Sequence, residues 1–209
     1  MSSTKRTSET VACEQNIASA LKSSPVIRLM LSALDRVGCS ITPNRHFACE
    51  SCFGGDNVLG AYDRTQNQIV ICSNRCTDHS QVQRILFHEL IHMYDFCLAK
   101  VDFTDLSHLA CTEVRAANLA HCSSLRDAVA YPDRKDCVRS RAKNSVLAMA
   151  SSVDKDVAKK AVDKVFEKCY ADLEPVGRTP HEGWKCERLA LSEFWHFSDQ
   201  LLPRRSPKS

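Results

Sequence analysis

Twelve cysteines are scattered along this 209-residue chain, at positions 13, 39, 49, 52, 72, 76, 97, 111, 122, 137, 169 and 186. No other feature constrains the fold as much, because cross-links at this density tie distant segments together. An even, dispersed set reads as several disulfides, and it is heavy for a reducing compartment. Two alternatives stand beside that reading. The thiols can be free and buried in a reduced cytosolic protein. Or Cys49-Glu-Ser-Cys52 and Cys72-Ser-Asn-Arg-Cys76 can form a zinc knuckle. The second pair is C-x-x-x-C and each pair flanks a predicted strand, so cross-links among these four, or to neighbouring strands, are expected instead.

The start, "MSSTKRTSETVACEQN", lacks the apolar core of a secretory signal, and Glu9 and Glu14 make it a poor transit peptide. Disulfides without such a signal point to the mitochondrial intermembrane space, which oxidises small cysteine-rich proteins that arrive uncleaved. The rest of the composition is that of a globular protein able to bury one core: 44% hydrophobic, 25% charged and six glycines. A net charge of +3 with no basic stripe predicts no nucleic-acid partner. No run of apolar residues is long enough to span a membrane by itself.

Residues 1–11 read as a disordered N-terminus, being short and polar. Residues 12–37 read as helical with a break at Pro25, and Gly38 is a natural stop. Val58–Tyr62 and Gln68–Cys72 read as strands joined by a polar turn, with further turns at Pro43-Asn44 and Gly54-Gly55. Asp78 or Ser80 can cap the next helix. A second helix follows to about His121, then two more over 133–150 and 154–172. Pro175 is expected to end the compact part. The tail, 176–209, contains one short amphipathic helix, roughly Lys185–Leu201. The expected class is α+β, mostly helical, with a small β-hairpin or sheet ahead of the Asp78-capped helix.

That capped helix carries "RILFHELIHMYDFC". His88 and His92 are four apart, so they lie one above the other on a helix face and can aim two imidazoles at one ion. Glu89 sits one residue round, where a general base beside a metal is needed. Ile85, Leu86, Leu90, Ile91 and Met93 make the helix mostly buried, and a buried polar triad without partners is costly. A metal resolves that cost. A catalytic Zn2+ needs a third protein ligand. The following helix, "DLSHLACTEVRAANLAHC", supplies Glu113 and His108, which lie about 140° apart and cannot both aim at one ion. Glu113 shares its face with Leu109, Ala110, Ala116 and Ala117, small residues that let two helices approach, and is preferred. His108 lies on a more polar stripe with Cys111, Thr112 and Arg115. Asp95, Arg115 and Asn118 are candidates to support the ligands from behind. Tyr94 and His108 are candidates to stabilise an oxyanion, and the strand Gln68–Cys72 could pair with an extended substrate.

"HELIHMYDFC", "VDFTDLSHLACTEVRAANLAHC", "DCVRSRAKNSV" and "VDKVFEKCYADLEP" together resemble the mitochondrial inner-membrane metalloprotease family that also assists ATP synthase assembly. Mammalian members of that family are also described as Ku-binding proteins. "SPVIRLMLSAL" and "CESCFGGDNVLGAYD" fit as well, so the resemblance covers residues 12–175. It implies a zincin-like metalloprotease domain over that range, peripheral on the inner membrane and facing the intermembrane space. It implies one catalytic Zn2+, with His88 and His92 as ligands and Glu89 as base. Glu113 also falls where the glutamate-type zinc hydrolases place their third ligand. The implied substrate is a membrane subunit of the ATP synthase proton channel, whose assembly the family also assists. Two rivals are a non-proteolytic assembly chaperone and a nuclear DNA-repair (Ku-binding) protein. The near-neutral charge weakens the second.

Overall fold

The computed structural model describes residues 7–53, 58–76, 78–122, 130–131, 133–150, 152–178 and 184–201, without the side chains of 184–187 and 197–201. The turn expected at Gly54-Gly55, the Cys186 side chain and the basic residues at the end of the chain lie outside that description.

Helix α1 (Ser8–Ser23) begins at an N-cap, Thr7, whose hydroxyl accepts the Thr10 N–H. The helix therefore starts before the point where disorder was expected to end. Pro25 opens α2 (Pro25–Arg36) at its first turn, where the missing N–H is harmless. Gly38, with φ +86°, closes it, as the Cys39 N–H returns to the Leu34 carbonyl. A short α3 (Pro43–His46) leads into β1 (Phe47–Glu50), a strand the sequence pattern did not reveal. Strands β2 (Gly60–Asp63) and β3 (Gln68–Cys72) follow. The sheet order is β1-β3-β2, with β1 parallel and β2 antiparallel to β3. The expected hairpin is present, but β3 is its central strand and cannot accept another. The free edges belong to β1 and β2.

Helix α4 (His79–Ala99) is capped by Asp78, which accepts the Gln81 N–H, and Ser80 donates its hydroxyl to the same carboxylate. It is the central helix, packed by α1, α2, β2, β3 and α5 (Leu106–Ala116). This explains why apolar residues occur nearly all round it. A π-helical turn (Ala117–His121) continues α5. Helices α6 (Arg134–Met149) and α7 (Lys155–Ala171), each capped by an aspartate, pack against α5. Helix α8 (Trp184–Leu201) lies on α2, and Val176, Ala190 and Phe194 join the apolar core. The compact part therefore does not end at Pro175, because the tail helix has an apolar face and α2 offers it a seat. Two apolar clusters result, one around α1, α2, the sheet and α4, the other between α5, α6 and α7. Helices α4 and α5 form the seam between them.

Among the described residues, five disulfides hold these elements: Cys13–Cys49, Cys39–Cys97, Cys52–Cys72, Cys111–Cys169 and Cys122–Cys137. The zinc knuckle is excluded, since three of its four thiols are consumed. Only Cys52–Cys72 joins two of the four expected partners. Cys49 reaches a helix rather than a strand, and Cys76 is a buried free thiol that donates to the Leu59 carbonyl. Burial, and secondarily the charge of Asp78, push the Cys76 thiol up to about 11 against the pull of Arg75, so it stays protonated near neutral pH. In a Cys186→Ser variant, native protein should therefore resist alkylation, and unfolding without reductant should expose one thiol. Mass spectrometry showing two or more labelled thiols would reject these pairings.

Gly60 sets the distance between β2 and α4. A Cβ there would lie 2.7 Å from Ile85 Cγ2 and 3.0 Å from the Val70 carbonyl. Gly60→Ala should thus destabilise the protein by about 1–3 kcal/mol through overpacking. An unchanged urea midpoint would show that α4 can give way.

Candidate metal centre

The four-residue spacing on α4 does what the sequence suggests, and His88 Nε2 and His92 Nε2 stand 3.1 Å apart. Glu113, on the facing side of α5, brings Oε2 to 3.5 Å from His88 Nε2 and Oε1 to 3.5 Å from His92 Nε2. The three donor atoms lie within 4.8 Å of one another. Neighbouring ligands of a tetrahedral ion with bonds of about 2.0 Å are about 3.3 Å apart, so the spacing suits one small cation.

Hydrogen bonding argues the same way. Thr112 donates its hydroxyl to Asp95 Oδ2 at 2.6 Å, so its oxygen accepts from His92 Nδ1 at 2.8 Å. With the proton on Nδ1, a neutral His92 turns its Nε2 lone pair toward Glu113. Glu113 is 3% exposed, and its Oε2 accepts no hydrogen bond. Where Oε2 and the two Nε2 lone pairs meet in this buried place they repel one another, and a cation removes that repulsion. The residues present fit a Zn2+ ion.

The charges respond to this crowding. Burial, aided by His88 and Arg115, lowers His92 to about 4 despite the Glu113 carboxylate. Burial also works to lower His88, but contact with Glu113 and the charge of Glu89 outweigh it and raise the net value. Burial would raise Glu113, yet His92, His88 and Ser145 hold it below the usual range. Glu89 is pushed up to about 7, chiefly by burial and then by Glu113, against His88 and the Tyr62 backbone N–H. Glu89 is therefore at the β2 edge. It lines a cleft of about 700 Å³ together with the histidines, β2 from Gly60 to Asp63, and Arg141, Ser145 and Met149 of α6.

The supporting residues differ from expectation. Asp95 meets the site through Thr112, not by direct contact with an imidazole. Arg115 stands behind Asp95 at 3.0 Å and also binds Asp172. Asn118 does not support the site. It donates to the Tyr170 carbonyl and accepts from Arg134, tying the π turn to its neighbours. His108 stands away, its Nδ1 accepting the Asp102 N–H at 3.3 Å. His108 and Tyr94 line a separate hollow of about 240 Å³ beside Arg115, so neither faces the cleft to meet an oxyanion.

The sequence reading missed His121. Its Nε2 is 3.0 Å from His88 Nδ1. Burial, then His88 and Arg141, hold it well below its ordinary pKa, so it is neutral. In an unbroken α-helix the residue seven beyond Glu113, Ala120, would share its face, and His121 would point about 80° away. The π turn adds one residue and moves His121 into that seat.

Comparison with known proteins agrees with this site. A family model described as the Peptidase M76 family matches residues 11–177. The chain is 44% identical over 176 residues to "Mitochondrial inner membrane protease ATP23 homolog" of Homo sapiens, which covers 81% of this chain and 70% of that protein. The Xenopus laevis protein of the same name is 40% identical over 176 residues, with 81% and 74% covered. "Mitochondrial inner membrane protease ATP23" of Debaryomyces hansenii is 33% identical over 173 residues, with 79% and 72% covered. No solved structure matches. A match running from residue 11 to residue 177 leaves a plain conclusion: the chain is a peptidase and belongs to the peptidase M76 family.

Proposed function

We propose that this chain is a zinc-dependent endopeptidase of zincin-like fold, acting from the intermembrane space at the surface of the mitochondrial inner membrane. Its proposed substrate is a membrane subunit of the ATP synthase proton channel, whose assembly it also assists. The observation that carries the chemistry is the convergence of His88, His92 and Glu113 within 4.8 Å, beside Glu89 in one cleft. Five disulfides and the mitochondrial names of the relatives support the compartment. The subunit and the assembly role rest on the family resemblance.

His88, His92 and Glu113 would hold the ion. When bound, Zn2+ supplies polarisation of the scissile carbonyl and acidification of a water molecule. Glu89 takes the proton of the attacking water on its carboxylate and returns it to the leaving amine. Strand β2 is an outer strand of the sheet and lines the cleft, so an extended substrate adds along its free side as a further strand, not on β3. Asp95 and Thr112 hold the His92 ring.

Purified protein should contain one zinc per chain and cleave the precursor of the proposed subunit, and a chelator should stop cleavage. Glu113→Ala should weaken zinc binding by at least about 100-fold, whereas His108→Ala should leave it unchanged. Zinc-free protein with chelator-resistant cleavage, or equal losses in the two variants, would sink the reading.

A further inference from the structure

Three donors and an open position complete a catalytic zinc site, so His121 is not needed as a ligand. Yet the fold departs from regular α-helix to seat it. His88 Nδ1 and His121 Nε2 face each other at 3.0 Å, with ring centroids 4.9 Å apart. One of the two nitrogens donates. For His88 Nε2 to offer a lone pair beside His92 Nε2 and Glu113, the His88 proton must sit on Nδ1. His121 Nε2 is then the acceptor, and its own proton is on Nδ1. This arrangement mirrors the one on the other imidazole, where Thr112 accepts from His92 Nδ1.

We propose that His121 is a positioning residue of the metal centre: its Nε2 accepts the Nδ1–H of His88 and so fixes the tautomer and ring plane that turn His88 Nε2 toward the ion. The inference rests on the zinc reading given above and goes beyond it. The π turn at Ala117–His121 is the structural device, because the extra residue puts an imidazole where Ala120 would otherwise lie. Cys122, directly after the turn, is pinned to Cys137 of α6, which holds the end of that turn in place.

The test is zinc affinity, measured with a competing chromophoric chelator, alongside urea unfolding of the metal-free protein. His121→Ala should bind zinc about 10–100-fold more weakly, with the metal-free unfolding midpoint unchanged. His121→Gln places an amide oxygen as acceptor near the lost Nε2 and should recover most of the affinity. His121→Lys, which can only donate, should not. Nitrogen-15 spectra of the zinc-loaded wild type should show His88 protonated on Nδ1. If wild-type protein binds no zinc, the zinc reading itself falls. If it binds zinc and His121→Ala binds equally well, the positioning role is wrong. Equal loss in the Ala and Gln variants, or a loss matched by metal-free destabilisation, would overturn it in favour of a packing role. Loss of zinc as complete as in His88→Ala would make His121 a ligand instead.

Discussion

Glu89→Gln is expected to keep zinc and fold while lowering peptide cleavage by about 10²–10⁴-fold, the usual contribution of a general base. The change preserves shape, and the residue is 6% exposed in a tight site, so little else should move. What is lost is the ability to take a proton. A second consequence is visible only without metal. Glu89 is raised to about 7 by burial, above its unfolded value of about 4.5. The folded state then binds more protons than the unfolded state between those values, so stability falls as pH rises through that window. Metal-free Glu89→Gln lacks this loss. It should match the wild type in acid and be the more stable protein above pH of about 7. Retained cleavage would remove Glu89 from the mechanism. If the variant still supports ATP synthase assembly in cells, the proposed assembly role is separable from proteolysis.

Arg115→Met is expected to destabilise the fold by about 3–5 kcal/mol, the penalty for breaking a buried ion pair from one side. Arg115 is 4% exposed and joins Asp95, Asp172 and the Glu174 carbonyl. Even with Arg115 in place, burial raises Asp95 to about 6. Without it, Asp95 becomes an uncompensated buried carboxylate that Thr112 alone must stabilise, and Thr112 is the partner of His92. Zinc affinity should therefore fall as well. Adding Asp95→Asn removes the orphan charge and should recover part of the stability. Chemical unfolding of the single and double variants decides it. If the double variant is no more stable than Arg115→Met, the loss comes from packing rather than charge.

The features legible in the sequence are those fixed within a single element. Spacing of four residues on a helix puts His88 and His92 on one face whatever packs around them, and Asp78 caps that helix through a bond three residues long. The number of cysteines likewise announces cross-links. The small residues beside Glu113 were a poorer sign of how α5 packs, since Ala116 joins the apolar cluster around α4 while Leu109, Ala110 and Ala117 pack in the one between α5, α6 and α7. Features set between elements were not legible. Which cysteines meet depends on packing, so Cys49 reaches α1 and Cys76 stays free. Strand β1 is short and pairs in parallel with β3 across a long connection, which local alternation does not encode. The seat for α8 exists only once α2 is in place. His121 was hidden for a sharper reason. Regular helical geometry aims it away from the histidine pair, and one extra residue in a π turn, stable only against its packed neighbours, turns it back toward His88.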